Sequence, residues 1–512
     1  MTSRRGFLGG LMATAGLAAT AKAEEGGASL PAMGAPGERR LRIGVLSDIH
    51  VKLDEPHGGE VLWGAGIKEF KESLEFMRGE GVDVVAICGD MADTGRIEQL
   101  QLVADAWQEV FPGNKLPDGR PVEKFFVYGN HDSSNLKHGI AVRNLDRAKK
   151  VYGSEEEGKK HLIPYHEKEA MAQCFGEDAW EPIYAKTIGG YVFVGCNWNY
   201  ERKVAAWFDE NADRLGLKGD KPFFYFQHPH PTGTCNSAHG GFAWGHDWNA
   251  TTPTLSKYHN CVAFSGHSHY SLGDETSIWQ GEFTSINAAT TSYVGWRSGR
   301  DNGGWEAHGR KGRMIGPVPA AKRLIMVKGH GMVVDVYDDR IVIARHGFVK
   351  SGKLGPDWVL PLPACVDEAS RPYSFEAAES RSSAPQFREG AEKGIKITMR
   401  KDKNRAGKEC DMVAVEFPEA RSEGPLGRVF EYEVTAENVA YGIVRIANQK
   451  RINSAYQAYP IEYEAEGDRT ECLFMLDELP KEASVKFRIR PLNCFGVAGR
   501  DILSEKVKLP LE

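Results

Sequence analysis

The sequence predicts an α/β domain followed by an all-β sandwich. Between residue 41 and about residue 360, apolar runs alternate with segments whose apolar residues recur at helical spacing, which is typical of layered folds with a partly parallel sheet. From about residue 373 onward there is no long helical pattern, and short runs rich in β-branched and aromatic residues follow one another. We therefore predict an α/β domain over residues 41–360 and a β-sandwich over residues 361–512.

The composition excludes several classes of protein. The chain has 512 residues, of which 41% are hydrophobic, so it can bury a core and is not disordered throughout. After the first 25 residues there is no uncharged apolar run of about 18 residues, which argues against an integral membrane protein. The formal net charge of −6 disfavours long nucleic acid as a partner.

The N-terminus has the pattern of an export signal. Arg4 and Arg5 precede an apolar run over residues 8–21, and a small-x-small cleavage pattern ends at Ala23. The arginine pair resembles a twin-arginine signal. We expect a signal peptide over residues 1–23, a linker over residues 24–40, and a periplasmic or secreted protein whose mature chain has no transmembrane segment.

Apolar patterning places the elements of the α/β domain. Strands are predicted at residues 41–46, 82–87 and 125–128, with helices at 67–78 and 97–110. Further strands are predicted at residues 191–194, 223–226 and 262–264, and a hairpin at 332–336 and 341–344.

The C-terminal part reads as a succession of short strands. They are predicted at residues 395–397, 412–417, 429–434, 443–446, 472–476 and 485–489. The stretch 484–499 resembles the late strands of a fibronectin type III or similar immunoglobulin-like domain.

Five polar motifs each follow a strand-like run of the α/β domain. They are Asp48-Ile49-His50, Gly89-Asp90, Gly129-Asn130-His131-Asp132, His228, and Gly266-His267-Ser268-His269. Because residues just past the carboxyl ends of strands converge in open α/β sheets, we expect one shared crevice. Residues two apart in an extended segment point to the same side, so Asp48 and His50 are expected to aim at one point, as are His267 and His269.

The side chains in these motifs are suited to a transition metal. Imidazoles, carboxylates and an amide favour Mn, Fe, Zn or Co over calcium or copper(I). The nine cysteines form no C-x-x-C pair, so a zinc ribbon is not indicated.

Together, the order and spacing of the motifs resemble those of calcineurin-like metallophosphoesterases over roughly residues 41–350. The resemblance implies a β-sandwich of mixed sheets flanked by helices. It also implies two divalent metal ions and hydrolysis of a phosphate ester by a hydroxide that bridges them.

The resemblance carries over to individual residues of this chain. It implies that the first ion is held by Asp48, His50 and His269, that Asp90 bridges both ions, and that the second ion is held by Asn130, His228 and His267. It places His131 against the phosphate and the leaving group, and it implies that Asp132 orients His131 by accepting its other ring N–H.

Several residues around these motifs leave alternatives open. His230 is a second candidate for the ligand position of His228, and we favour His228 because it follows the strand directly. In that reading His230 contacts substrate or has no role. The basic and aromatic stretch 296–323 contains Arg297 and Arg300, which are candidates to bind the substrate. A solvated loop explains that stretch equally well.

Asp93 separates this chain from the purple acid phosphatases. Those enzymes resemble the family but carry a tyrosine three residues after the bridging aspartate, where this chain has Asp93. An iron–tyrosinate centre is therefore not expected.

The sequence thus predicts an exported dinuclear-metal hydrolase of a phosphate monoester or diester. Its substrate would be a small organic phosphate, a nucleotide or a cell-envelope phosphodiester. The rival reading is a non-catalytic surface protein whose C-terminal β-sandwich binds glycan or protein. Metal content and turnover of a phosphate ester separate the two.

Overall fold

A computed structural model describes most of the chain from residue 37 onward. The described residues are 35, 37–51, 66–93, 95, 97–132, 149, 153–162, 168–176, 181–236, 245–292, 294, 329–348, 352–403, 408–421, 425–440, 443–454, 469–480 and 484–509. The predicted signal peptide and most of the predicted linker lie outside them. None of the helices in this described part combines the length and the hydropathy that crossing a membrane requires.

The first sheet of the α/β domain is mixed and contains seven described strands. They are β1 (Leu41–Leu46), β2 (Val84–Cys88), β3 (Glu123–Val127), β10 (His330–Val336), β11 (Arg340–Gly347), β12 (Gly352–Lys353) and β13 (Trp358–Pro361). Strand β2 runs parallel to both β1 and β3, whereas β10 is antiparallel to β1. The order is β12-β11-β10-β1-β2-β3, with β13 paired to β11.

The second sheet contains six described strands in the order β4-β5-β6-β7-β9-β8. Their bounds are β4 (Ile183–Ile188), β5 (Tyr191–Cys196), β6 (Phe223–Phe226), β7 (Cys261–Ser265), β8 (Ile278–Gln280) and β9 (Thr284–Asn287). The four central strands β5, β6, β7 and β9 run parallel to one another, whereas the outer strand β4 is antiparallel to β5 and the outer strand β8 is antiparallel to β9.

Aromatic side chains join the two sheets face to face. The ring of Phe125 on β3 lies 5.4 Å from that of Phe193 on β5 and 5.1 Å from that of Phe226 on β6. All three rings are fully buried, so they contribute large apolar area to the shared core.

The described part of the α/β domain also contains six helices. They are α1 (Ile67–Glu80), α2 (Ile97–Val110), α3 (Glu155–Leu162), α4 (Lys168–Phe175), α5 (Val204–Asn211) and the short α6 (Thr252–Leu255). Helix α1 buries Phe70, Leu74 and Met77 in the core of the first sheet. Helix α5 buries Val204 and Phe208 against the second sheet.

The C-terminal strands form a β-sandwich. One antiparallel sheet contains β14 (Lys396–Lys403), β15 (Glu409–Pro418) and β18 (Arg469–Met475). The other contains β16 (Glu431–Ala440), β17 (Ile443–Asn453), β19 (Ser484–Leu492), β20 (Ile502–Leu503) and β21 (Val507–Lys508). Residues of both sheets share one core, in which Phe474 of β18 lies against Phe487 of β19.

The predicted fold class is confirmed: a mixed α/β fold of two packed sheets is followed by all-β sheets. Within the sandwich region the longest described helix is α7 (Phe375–Arg381). The predicted hairpin is confirmed, with Val336 opposite Ile341. Assignment of the C-terminal sandwich to the fibronectin or immunoglobulin type, and the boundary at residue 360, stay predictions. Tyr373, beyond that boundary, still packs into the core of the first domain.

Two glycines let the motif loops approach each other. A Cβ atom on Gly129 would lie 2.2 Å from Oδ1 of Asp90, and one on Gly266 would lie 2.3 Å from Oδ2 of Asp48. Both distances are far inside van der Waals contact, so a residue with a side chain would push the loops apart. The ends of β1, β2, β3, β6 and β7 can therefore meet in one place.

Candidate metal centre

Asp48, His50 and His269 form the first group of candidate ligands. Nε2 of His269 lies 2.9 Å from Oδ1 of Asp48 and 3.0 Å from Nε2 of His50. All three residues are buried, with His269 the most exposed at 5%. Three ligand atoms that lie within 4.8 Å of one another thus surround one point.

Asp90, His228 and His267 form the second group, with the same upper limit of 4.8 Å between ligand atoms. Oδ2 of Asp90 lies 3.1 Å from Nε2 of His228, and the rings of His228 and His267 lie 4.7 Å apart. Asp90 also groups with His50 and His131, so its carboxylate lies between the two sets. This is the position that a bridging ligand would occupy.

Buried polar atoms without a hydrogen bond show that these residues fit a pair of cations. Oδ1 of Asp48, Oδ1 of Asn130 and Nε2 of His228 are each buried and accept no hydrogen bond. Such atoms are rare because burying a polar atom without a partner is costly. All three atoms carry lone pairs and belong to the five motifs, and lone pairs of this kind are what a metal centre requires.

Backbone contacts fix the orientation of the donor atoms. Nδ1 of His228 lies 2.7 Å from the carbonyl oxygen of Cys88, so Nδ1 donates and Nε2 keeps a lone pair toward the site. The other carboxylate oxygen of Asp48, Oδ2, accepts hydrogen bonds from the backbone N–H of His267 and the hydroxyl of Ser47. Contacts of this kind hold metal ligands in place.

The backbone at five of the seven candidate ligands is left-handed rather than extended. The φ angles are +50° at Asp48 and at His50, +52° at Asp90, +68° at His267 and +57° at His269. The expectation that Asp48 and His50 converge because they alternate along an extended segment was therefore wrong in its geometry. They converge because the chain turns sharply, and such strained conformations concentrate at functional sites.

Charges inside the cluster shift the pKa values of its members. Burial opposes ionisation of Asp48, but His269 and His228 hold its pKa well below the usual range. Burial likewise acts to lower the pKa of His50, yet the neighbouring carboxylates of Asp48 and Asp93 raise it to about 10. At His267, burial and then the charge of His228 lower the pKa to about 3.

His131 is held against the site by the chain near Asp93. Nδ1 of His131 lies 2.6 Å from the carbonyl oxygen of Asp93, and the ring of His131 meets that of His50 edge-on at 4.7 Å. The backbone N–H of His131 donates to Oδ1 of Asp90 at 2.8 Å. The ring therefore stands beside both ligand groups with Nδ1 already engaged.

Asp132 does not orient His131, contrary to the expectation from sequence. Its Oδ1 accepts the N–H of Ala92 at 2.7 Å, and its Oδ2 accepts the N–H of Gly129 at 2.8 Å. Asp132 thus connects the loop after β2 with the loop after β3 through these two hydrogen bonds. Burial, followed by the charge of Asp90, raises the pKa of Asp132 to about 6.

His230 is also not placed to contact substrate. It is completely buried. Its Nδ1 lies 2.7 Å from the hydroxyl of Ser265, and its Nε2 lies 2.7 Å from the hydroxyl of Ser268. Because both nitrogens are engaged, His230 supports the loop of His267 and His269 from behind. His228, which we favour for the ligand position, lies in the group with Asp90 and His267.

Two features of the site were not found by sequence reasoning. The carboxylate of Asp93 lies 3.3 Å from Nδ1 of His50, and the indole of Trp198 lies beside His228 and His267. Asp93 lies outside the five motifs, and Trp198 follows β5, which carries none of them. Arg297 and Arg300 lie outside the described residues, so their role stays a prediction.

Comparison with known proteins gives the family of this domain. The model of the family described as calcineurin-like phosphoesterase matches residues 41–271. No curated protein sequence matches the chain. Similar solved structures include a dimetal phosphatase from Danio rerio (13% identity, 63% of this chain and 99% of that chain covered, TM-score 0.31). Another is a predicted phosphoesterase from Streptococcus pneumoniae TIGR4 (11% identity, 63% and 97% covered, TM-score 0.24). Taken with the motifs, the family match shows that residues 41–271 are a calcineurin-like phosphoesterase domain.

Proposed function

We propose that the protein is an exported dinuclear-metal phosphoesterase that hydrolyses a phosphate monoester or diester. The observation that carries the proposal is the pair of buried ligand groups that meet at Asp90. The residues of these groups, together with Asn130, come from five separate loops, which follow β1, β2, β3, β6 and β7. A surface protein that only binds through its C-terminal sandwich has no need of such a cluster.

The residues that would hold the ions are those of the two groups together with Asn130. Asp48, His50 and His269 would bind one ion, His228, His267 and Asn130 the other, and Asp90 both. When bound, two divalent ions would clamp the phosphate and activate water for attack on phosphorus.

His131 is the candidate for proton transfer to the leaving group. The Asp93 carbonyl engages Nδ1, so the other ring nitrogen, Nε2, can face the substrate. A protonated imidazole held there would give its Nε2 proton to the departing oxygen, and its positive charge would favour the negative phosphate.

Hydrolysis of model esters tests this proposal. The full chain, loaded with Mn²⁺, is assayed with p-nitrophenyl phosphate and with its bis ester, which also decides between monoesterase and diesterase. His131→Gln is expected to lower kcat by about 10²- to 10⁴-fold while metal content stays the same. His259→Gln is the matched control, because His259 pairs with the exposed Asp220 away from the site. Turnover of neither ester, or full activity of His131→Gln, would contradict the proposal.

Export rests on the N-terminal pattern and has its own test. The mature protein is expected to begin after Ala23 and to be recovered outside the cytoplasm. Replacing Arg4 and Arg5 by lysine should retain the chain inside if the twin-arginine route is used. Recovery of an uncleaved cytoplasmic chain from wild-type cells would argue against export.

A further inference from the structure

Trp198 stands at the junction of the two sheets, next to the candidate metal centre. It follows β5, and its backbone N–H donates to the carbonyl oxygen of Tyr128 at 3.1 Å. The preceding residue, Asn197, accepts the N–H of Tyr128 at 3.0 Å. These two bonds fix Trp198 relative to the loop that carries Asn130 and His131.

The indole ring borders the second ligand group. Its centroid lies 5.9 Å from that of His228 and 5.6 Å from that of His267. The ring thus forms a wall of the site beside the ion that Asp90, His228 and His267 would hold.

The indole nitrogen of Trp198 is buried and makes no hydrogen bond. It resembles Asp48, Asn130 and His228 in this respect, but its chemistry is opposite. Those residues present lone pairs, which suit a cation, whereas an indole N–H can only donate. A buried donor without a partner calls for an explanation, because an aromatic ring without the N–H would fill the same space without that cost.

We propose that Nε1–H of Trp198 donates a hydrogen bond to a phosphate oxygen of the substrate. The inference rests on the proposed function, since it assumes that a phosphate group is bound beside the second ion. The unpaired acceptor atoms of Asp48, Asn130 and His228 would then bind the cations. The unpaired N–H of Trp198 would bind the phosphate anion. Trp198 becomes a substrate-binding residue that would also retain the phosphate product.

Binding of inorganic phosphate to the Mn²⁺-loaded full chain tests the inference directly. Trp198→Phe keeps an aromatic wall and removes the donor, so the dissociation constant for phosphate, measured by calorimetry, is expected to rise about tenfold or more. Metal content should be unchanged. Trp207→Phe is the matched control, because Trp207 is a partly buried tryptophan on α5 that packs against Phe208. It should bind phosphate as wild type does.

Unchanged phosphate affinity in a folded, metal-loaded Trp198→Phe would overturn the inference, and so would a wild-type protein that binds no phosphate. If Trp198→Phe does not fold, a crystal structure of the metal-loaded wild type with phosphate decides the question. An Nε1-to-oxygen distance of about 3 Å supports the inference, and a distance beyond hydrogen-bond range refutes it. If phosphate binds as expected but no ester is hydrolysed, the proposed catalysis fails while the role of Trp198 stands.

Discussion

The backbone carbonyl oxygen of Asp93 lies 2.6 Å from Nδ1 of His131. The carboxylate of the same residue lies 3.3 Å from Nδ1 of His50. One residue therefore engages the candidate proton donor through its backbone and a candidate metal ligand through its side chain. Substitution of the side chain should affect only the second of these contacts.

Asp93→Asn is thus expected to weaken metal binding more than proton transfer. The backbone carbonyl remains to hold His131, but the charge next to His50 is lost. Removal of such a supporting partner typically costs about 10- to 100-fold in metal affinity. Competition with a chelator measures this affinity, and kcat at saturating Mn²⁺ should fall by less than in His131→Gln. Equal losses of kcat in both variants would show that the Asp93 carboxylate acts in the reaction itself.

Asp132→Asn is expected to destabilise the protein rather than to change its chemistry. Both carboxylate oxygens of Asp132 accept backbone N–H groups, and an amide can replace only one of them. Loss of a buried acceptor costs about 1–3 kcal/mol in the free energy of unfolding. Denaturant unfolding measures this change. Because Asp132 does not contact the ring of His131, the pH profile of kcat should keep its shape. A profile of altered shape would show that Asp132 orients His131 after all.

Arg345→Met should be among the most destabilising substitutions outside the site. The guanidinium of Arg345 is fully buried and lies 2.8 Å from Oε1 of Glu275, whose Oε2 accepts the indole N–H of Trp358 at 2.8 Å. Removing one partner of a buried ion pair leaves the other charge uncompensated and costs about 3–5 kcal/mol. The double variant Arg345→Met with Glu275→Leu should recover part of this loss in the same unfolding experiment. A double variant less stable than Arg345→Met would contradict the assignment.

His346 should make the stability of the chain depend on pH below neutrality. Its ring stacks on Phe76 at 4.1 Å, and burial lowers its pKa to about 4 from an ordinary value of 6.5. Between pH 6.5 and 4 the unfolded chain therefore binds the proton more readily than the folded one. The stabilisation that neutral His346 provides is present above pH 6.5 and is lost as the pH falls toward 4.

The variant His346→Phe isolates this contribution. It keeps the aromatic contact but cannot take up a proton, so its Tm should fall less between pH 7 and pH 5 than that of wild type. His259→Gln serves as the control at an exposed histidine and should follow wild type. Parallel falls in Tm for wild type and His346→Phe would exclude His346 as the source.

Much of the fold follows from local pattern. The strand Leu41–Leu46 and the helix Ile97–Val110 have the bounds that apolar spacing predicts. Strand β4 (Ile183–Ile188) was not predicted, because Lys186 and Thr187 interrupt its apolar run and its place in the sheet depends on pairing with β5. Such pairing is a long-range property that a local pattern does not carry.

Part of the site is also predictable from local sequence pattern. The five motifs could be located because each follows a strand, and the parallel strands bring their ends together. The orienting role predicted for Asp132 was wrong, and so was the substrate contact considered for His230. The placement of both side chains depends on residues distant in sequence, Ala92 and Ser265. Sequence neighbourhood suggested His131 as the partner of Asp132, whereas the folded loops supply backbone N–H groups instead.

The two-metal account is tested most directly by anomalous scattering from crystals of the Mn²⁺-loaded protein. The account predicts two peaks, one among Asp48, His50 and His269 and the other among Asn130, His228 and His267, with Asp90 in contact with both. A single peak, or peaks away from these side chains, would contradict it.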